Sequence, residues 1–299
     1  MAPRKIIDRC TTAFPVLQSA APEQTYQAAR RHFLRGGKSR FDPAPCQDGS
    51  TLRFYCQQIG ARNYFSLFDQ WFSNEGGSSY RGNLYVEDAQ TGVLEGIFPL
   101  QKLADECFST GHIVLAAELL HNRAVSSLAV LGCDVDMIRC VTSMDWFFDL
   151  DDIVFYLPDP EKQKTCRNRL LDRVDSPIRF APTVRNAVEH ADVILLGPCS
   201  RQIGLPDEWI REGTTILCWD DSPKTIHLPL SRADRVVVGA VEDYTEGREG
   251  VLLSEVINRQ KTGRMLDTDV VMYIHKGSVS LCAALAEILC TGSNPVRKN

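Results

Sequence analysis

The sequence predicts an α/β chain, a doubly wound parallel sheet beside a smaller α+β domain. Three observations predict it. From about residue 126, apolar runs of strand length alternate with stretches of helical length, as a parallel sheet with helices on both faces requires. The runs Ser127-Leu-Ala-Val-Leu131 and Asp152-Ile-Val-Phe-Tyr156 are joined by a turn at Gly132 and a helix-competent segment from Val135 to Phe148, which makes a βαβ unit. Upstream, between residues 52 and 98, strand-like runs follow one another with no helix between them, the pattern of a small antiparallel or mixed sheet.

In chain order, Pro22 starts a helix whose apolar residues Tyr26, Ala29, Phe33 and Leu34 recur at helical spacing before Gly36-Gly37 stops it. The strand-like runs are Leu52–Cys56, Asn63–Phe68, Asn83–Glu87 and Gly92–Phe98. Gln101 to Asn122 reads as one long amphipathic helix. After the βαβ unit come a strand at 178–182, a helix at 183–190 capped by Thr183, and a buried strand at 192–197. A short helix at 207–212, strands at 214–219 and 234–239 and a helix at 252–260 follow. Asp269–Ile274 and an apolar helix from Val279 to Leu289 read as a return to the first domain. The predicted division is therefore 1–122, 123–263 and 264–299, with a Rossmann-like domain in the middle.

The βαβ turn is where a dinucleotide would be held, through G-x-G-x-x-G/A. Here the three small positions are Gly132, Asp134 and Met137. Only the first is kept. Asp134 places a carboxylate where a diphosphate belongs, Asp136 adds a second, and the acidic residue expected at the end of the second strand is displaced to Asp159 behind Leu157 and Pro158. This pattern predicts that NAD(P) binding in the standard pose is lost, weak or remodelled.

Composition narrows the function classes. With 299 residues, 44% hydrophobic and 24% charged, the chain is globular and long enough for two domains. A net charge of −5 and the lack of a basic run longer than Arg30-Arg31 argue against a nucleic-acid or membrane surface, leaving a small molecule as the expected partner. The eleven cysteines show no C-x-x-C and no metal-ligand spacing, so no metal is expected. They read as buried free thiols. The N-terminus has no apolar leader and no run is long enough to span a bilayer, which makes a reducing cytoplasm the expected compartment.

Three tracts carry a resemblance to a family: Leu195 to Gly213 (LLGPCSRQIGLPDEWIREG), Trp219 to Leu228 (WDDSPKTIHL) and Asp267 to Gly277 (DTDVVMYIHKG). With the long helix before the βαβ unit, they resemble the ornithine cyclodeaminase and μ-crystallin (ketimine reductase) superfamily over roughly residues 22 to 290. The resemblance implies a nucleotide-binding domain inserted into a substrate and dimerisation domain. It also implies NAD(P)-linked chemistry on α-amino acids or cyclic imines, and a homodimer or larger oligomer. In its terms Asp221 matches the family's general acid/base, although the Gly after Pro223 is absent. The Arg that clamps a substrate carboxylate falls near Phe108, the substrate-contacting Lys near Arg62, and an earlier Arg at Arg40. The family's Phe-Lys-Ser appears as Tyr273-Ile274-His275-Lys276.

Candidate residues follow, each with a plainer role beside it. Asp221 lies past a buried strand at the carboxyl end of the sheet, where open α/β folds bind ligands, or else Asp220 and Asp221 merely shape the turn before Pro223. His112, in the long helix, and His275, just past a strand, are further acid/base candidates; a helix histidine is more often a packed one, and a loop histidine a solvated one. Arg40, Arg62 and Lys276 are candidates for an anionic substrate, or surface charges. Gly132, Asp134, Asp159 and Ser200 mark the cofactor edge, Ser200 as a turn residue. The dense aromatics from Phe54 to Tyr85 read as core or dimer interface, with a few lining an apolar pocket.

These residues predict an enzyme of specialised metabolism, moved from amino-acid redox chemistry to cyclisation, elimination or isomerisation by proton transfer. Two other functions compete with it: an NAD(P)H-dependent imine reductase or cyclodeaminase with a remodelled phosphate loop, and a dimeric binding protein that has lost the chemistry.

Overall fold

The structure is a computed structural model that describes residues 22–34, 40–45, 51–72, 78–106, 110–121, 124–197, 200, 203–219, 231–240, 250–275 and 279–291. Its elements in chain order are α1 (Pro22–Leu34), β1 (Arg40–Pro45), β2 (Thr51–Ile59), β3 (Arg62–Phe72), β4 (Ser78–Asp88), β5 (Leu94–Pro99), α2 (Leu100–Glu106) and α3 (His112–Leu120). Then come β6 (Ser127–Leu131), α4 (Val135–Phe147), β7 (Asp152–Tyr156), α5 (Pro160–Leu170), β8 (Ile178–Ala181), α6 (Val184–Val188) and β9 (Val193–Leu196). The chain ends with β10 (Thr215–Trp219), β11 (Arg235–Val238), β12 (Val251–Leu252), α7 (Leu253–Ile257), β13 (Val271–His275) and α8 (Val279–Thr291).

Two compact units divide these elements, Met1–Gly111 with Gly277–Asn299, and His112–Lys276. In the first, β1 to β5 form an antiparallel sheet in sequence order, and α8 packs against α1 and α2. The alternation of its strands is plain in β3, where Tyr64, Ser66 and Phe68 are buried while Leu67 is 56% exposed. On the outer face Phe65 stacks on Tyr85, its register partner.

The second unit is the doubly wound domain. Its eight strands lie in the order β12-β11-β13-β10-β9-β6-β7-β8, every pair parallel. Strands buried on both faces need no alternation, and β9 and β10 are buried along their whole length. From β6 the order runs outward through β7 and β8 on one side and through β9 and β10 on the other. The direction of winding therefore reverses between β6 and β9, and a crevice opens there at the carboxyl edge.

The unit boundaries depart from the predicted division. Residues 269–274 do not return to the first domain, because β13 pairs in parallel with both β10 and β11 and completes the doubly wound sheet; only α8 returns. The single helix predicted over Gln101–Asn122 is described as α2 and α3, which fall in different units. Just before α3, a Cβ at Gly111 would lie 1.9 Å from the Thr25 carbonyl oxygen, so the backbone of α1 passes too close for any side chain there. Helix α5 was not predicted. Its residues PEKQKTCRNRL bury only Cys166 and Leu170, too little for a periodic signal, and its start is marked instead by Asp159 as cap and Pro160 in the first turn.

Candidate active site at the carboxyl edge of the parallel sheet

Helix α3 spans nine residues, about 13 Å, and strand β13 rises a similar length in five. At matched length, the ends of α3 reach the two edges of the sheet. Its last carbonyl, on Leu120, accepts from Arg264 Nε at 2.7 Å near the start of β10. Its first residue, His112, lies at the other edge, against the end of β13.

Period two sets which β13 side chains it meets there. Met272 and Ile274 join the core on one face of the sheet, and Tyr273 and His275 point to the α3 face. His112 and His275 meet edge to face with ring centroids 4.7 Å apart. The Tyr273 hydroxyl lies 3.4 Å from His112 Nδ1. All three side chains are fully buried. Room for the His275 ring comes from Gly239, which follows β11: a Cβ there would stand 2.1 Å from His275 Nδ1. His275 is also the register partner of Trp219, two residues before Asp221. The structure thus brings together the two histidines picked out as acid/base candidates, and adds Tyr273 and Gly239. Nothing local marks that pair in the sequence, since its members lie far apart in the chain.

The other half of this edge is the crevice after β6 and β7, about 380 Å³ in volume, lined among others by Gly132, Cys133, Leu157, Asp159, Lys162 and Ile203. Gly132 turns the chain at φ +92°, a left-handed conformation that glycine adopts without strain. Asp134 is the N-cap of α4: one carboxylate oxygen accepts from the Met137 amide at 2.8 Å. A phosphate would otherwise use such a first-turn amide. Met137, at the third small position of the fingerprint, is fully buried, and its sulfur reaches Gly197 at the end of β9. Trp219 covers the same glycine, since a Cβ on Gly197 would stand 2.9 Å from both the Met137 sulfur and the Trp219 indole. Ser200 bridges the winding reversal. It donates to the Leu131 carbonyl and accepts from the Gly197 amide at 3.1 Å. Asp159 caps α5 through the Glu161 and Lys162 amides, 2.9 and 3.3 Å away.

Arg62 forms an ion pair with Glu95 across the antiparallel sheet, and that hydrogen bond raises its pKa further above the ordinary arginine value. Arg40 heads β1, where the backbone alone is described. Asp221, Phe108 and Lys276 lie outside the described residues. Among the described residues no group of three His, Cys, Asp or Glu side chains is placed to hold a metal ion, and no helix is long and apolar enough to cross a membrane.

Residues 108–278 match the model of the Ornithine cyclodeaminase/mu-crystallin family. No curated protein matches the chain. Several solved structures share its fold. The Δ1-pyrroline-2-carboxylate reductase of Thermococcus litoralis, solved with NADH and L-proline, has a TM-score of 0.76 at 15% identity, over 91% of this chain and 93% of its own. An archaeal alanine dehydrogenase dimer with bound NAD has a TM-score of 0.76 at 18% identity, covering 92% of each chain. The iminosuccinate reductase of Paracoccus denitrificans, solved with NAD+, has a TM-score of 0.72 at 15% identity, over 91% of this chain and 92% of its own.

Proposed function

This chain belongs to the ornithine cyclodeaminase/mu-crystallin family, whose model covers more than half of it, and from that premise we propose an enzyme that moves protons on a small molecule. The reaction is a cyclisation, elimination or isomerisation in specialised metabolism, with NAD(P) use lost or weakened. One observation carries this reading: His112 and His275 in ring contact, with Tyr273 beside them, at the end of β13.

Imidazole exchanges protons near neutral pH, and two imidazoles in contact can divide the work. The neutral ring takes a proton from the substrate as one bond forms or breaks. The protonated ring returns a proton to the atom that gains charge. Tyr273 holds the His112 ring in place through Nδ1. Asp221, two residues past the register partner of His275, is the third proton-transfer group in this reading.

The turn after β6 does not suit a dinucleotide laid in the usual way. A diphosphate there would meet the Asp134 carboxylate, with Asp136 close by, and like charges in a partly desolvated site cost several kcal/mol. Met137 and Trp219 occupy the space over Gly197. No step of the proposed reaction runs through NAD(P).

A second reading, an NAD(P)H-dependent imine reductase or cyclodeaminase, is favoured by the crevice that remains open beside Gly132. A dimer is part of the proposal in either case, supported by the exposed Leu67 beside the Phe65 and Tyr85 stack on the antiparallel sheet. Free thiols at all seven described cysteines support a reducing cytoplasm.

The test is proton exchange in D2O. Wild-type protein, given a panel of amines, cyclic imines and carbonyl compounds with no nucleotide, is expected to exchange substrate C–H for deuterium. His275→Ala and His112→Asn are expected to remain folded and to exchange about a hundredfold more slowly or worse. Turnover that needs NADPH or NADH and survives both substitutions would favour the reductase.

A further inference from the structure

The two imidazoles at the end of β13 differ in what surrounds their nitrogens. Tyr273 and His275 share one face of the strand, two residues and about 7 Å apart along it, with Tyr273 one step deeper in the sheet. From that depth the Tyr273 hydroxyl meets His112 at Nδ1, 3.4 Å away, with the two rings 5.8 Å apart. A phenol O–H is a stronger acid than the N–H of a neutral imidazole, and an imidazole nitrogen is the better acceptor, so in this pair the hydroxyl donates. His112 then carries its own hydrogen on Nε2, the nitrogen turned away from Tyr273. At His275 the Nδ1 side of the ring lies against the backbone of Gly239, where a Cβ would stand 2.1 Å from Nδ1, 2.4 Å from Cγ and 2.8 Å from Cε1. Its Nε2 is the nitrogen on the open side of that contact.

We propose that the two histidines are not interchangeable: Tyr273 is a positioning residue that holds His112 in its Nε2–H tautomer, which makes His112 the hydrogen-bond donor of the reaction and His275 Nε2 its base. This division rests on the proton-transfer reading. It also names a substrate class, a small molecule with an acidic C–H next to a carbonyl or an imine.

The steps balance with no oxidant or reductant. His275 Nε2 takes the proton from the C–H bond, and the electron pair of that bond moves toward the carbonyl oxygen or imine nitrogen. The Nε2–H of His112 donates a hydrogen bond to that atom as it gains charge. The protonated His275 then gives the proton back at a second position of the substrate. With ring centroids 4.7 Å apart in a buried place, two positive charges would repel strongly, so His112 stays neutral while His275 holds the proton.

The experiment uses the full chain with its six histidines labelled with 15N, read by long-range 1H–15N correlation at mildly alkaline pH. The His112 signals are identified by their loss in His112→Asn. Wild type is expected to show a protonated Nε2 and a bare Nδ1 at His112. Tyr273→Phe keeps the ring and removes the hydroxyl, and is expected to move both nitrogens to the intermediate positions of mixed tautomers. The opposite tautomer in wild type, or an unchanged His112 in Tyr273→Phe, would overturn the proposal. If Tyr273→Phe does not fold, the wild-type spectrum decides alone. Exchange in D2O separates this division from the reading beneath it. On a carbonyl compound or imine that exchanges, Tyr273→Phe is expected to slow exchange about tenfold. Exchange together with the opposite tautomer would overturn the roles alone, whereas the expected tautomer with no exchange from any carbonyl compound or imine would overturn the roles and the proton-transfer reading together.

Discussion

The two edges of the parallel sheet differ in the buried polar groups they gather. At the amino edge, Arg264 is 8% exposed and distributes its guanidinium over the carbonyls of Leu120, Asp269 and Thr214 and the Thr215 hydroxyl. Asp192 accepts from both the amide and the hydroxyl of Ser126 and from the Ser127 amide, and it pairs with Arg211. Arg211 apart, these are groups of the main chain and of short side chains, so each charge is held in one position. At the carboxyl edge Ser200 is likewise bonded to the main chain, but at the end of β13 two buried imidazoles and a phenol stand in contact with one another, in the space Gly239 leaves. A charge fixed by the backbone stabilises a fold; in the proposed function the ring pair instead carries protons. On that proposal the same sheet builds its stability at one edge and its chemistry at the other.

The strongest way to break that comparison is at Arg264. Arg264→Ala leaves several buried carbonyls without their donor and is expected to cost about 3 kcal/mol or more, read as a lower urea midpoint. The ring contact at the other edge should survive in the fraction that stays folded. Gly239→Ala tests the carboxyl edge. Its Cβ would displace the His275 ring, and a shift of that size is expected to slow turnover about a hundredfold, at a smaller cost in stability than Arg264→Ala.

Asp192→Asn sharpens the amino edge and is expected to cost about 2 kcal/mol at neutral pH. Burial raises the Asp192 pKa, but the hydrogen bonds from Ser126 and Ser127 outweigh it and hold the carboxyl below its ordinary value. A depressed carboxylate contributes stability above its unfolded pKa, about 4, and loses it as pH falls through the folded value. Wild type should therefore lose stability on acidification below about pH 4 more steeply than the variant. A urea midpoint series against pH reads both. The smallest effect is expected at Asp134. Asp134→Gly removes a cap at a cost of a few tenths of a kcal/mol. With Met137 and Trp219 still over Gly197, NADPH affinity by calorimetry should stay unchanged within a few-fold.

Much of this organisation was legible in the sequence, because it is written locally. Apolar runs of strand length, Gly132 and the alternation of elements are short-range signals, and they identified the parallel sheet and its βαβ start, while the tracts 195–213, 219–228 and 267–277 carried the resemblance to the family. Asp134 and Asp159 were picked out for charge, and the structure shows why that charge is there, since each caps the helix that follows it. What was not legible depends on pairing. That β13 enters the sheet between β10 and β11 is a matter of strand order, which no local pattern states. The contact of His112 with His275 depends on that strand order and on the direction of α3, and Gly239 has meaning only once the His275 ring lies over it. Trp219 and Met137 read as ordinary apolar residues until Gly197 brings them together.

The central claim, that this chain does its chemistry with solvent protons and not with hydride, is tested most directly by the origin of the hydrogen in its product. Once D2O exchange has identified a substrate, turnover is run with NADPH deuterated at the transferable C4 position, in ordinary water, and again in D2O with unlabelled NADPH. The account predicts deuterium in the product from D2O alone. Deuterium arriving from the nicotinamide would contradict it.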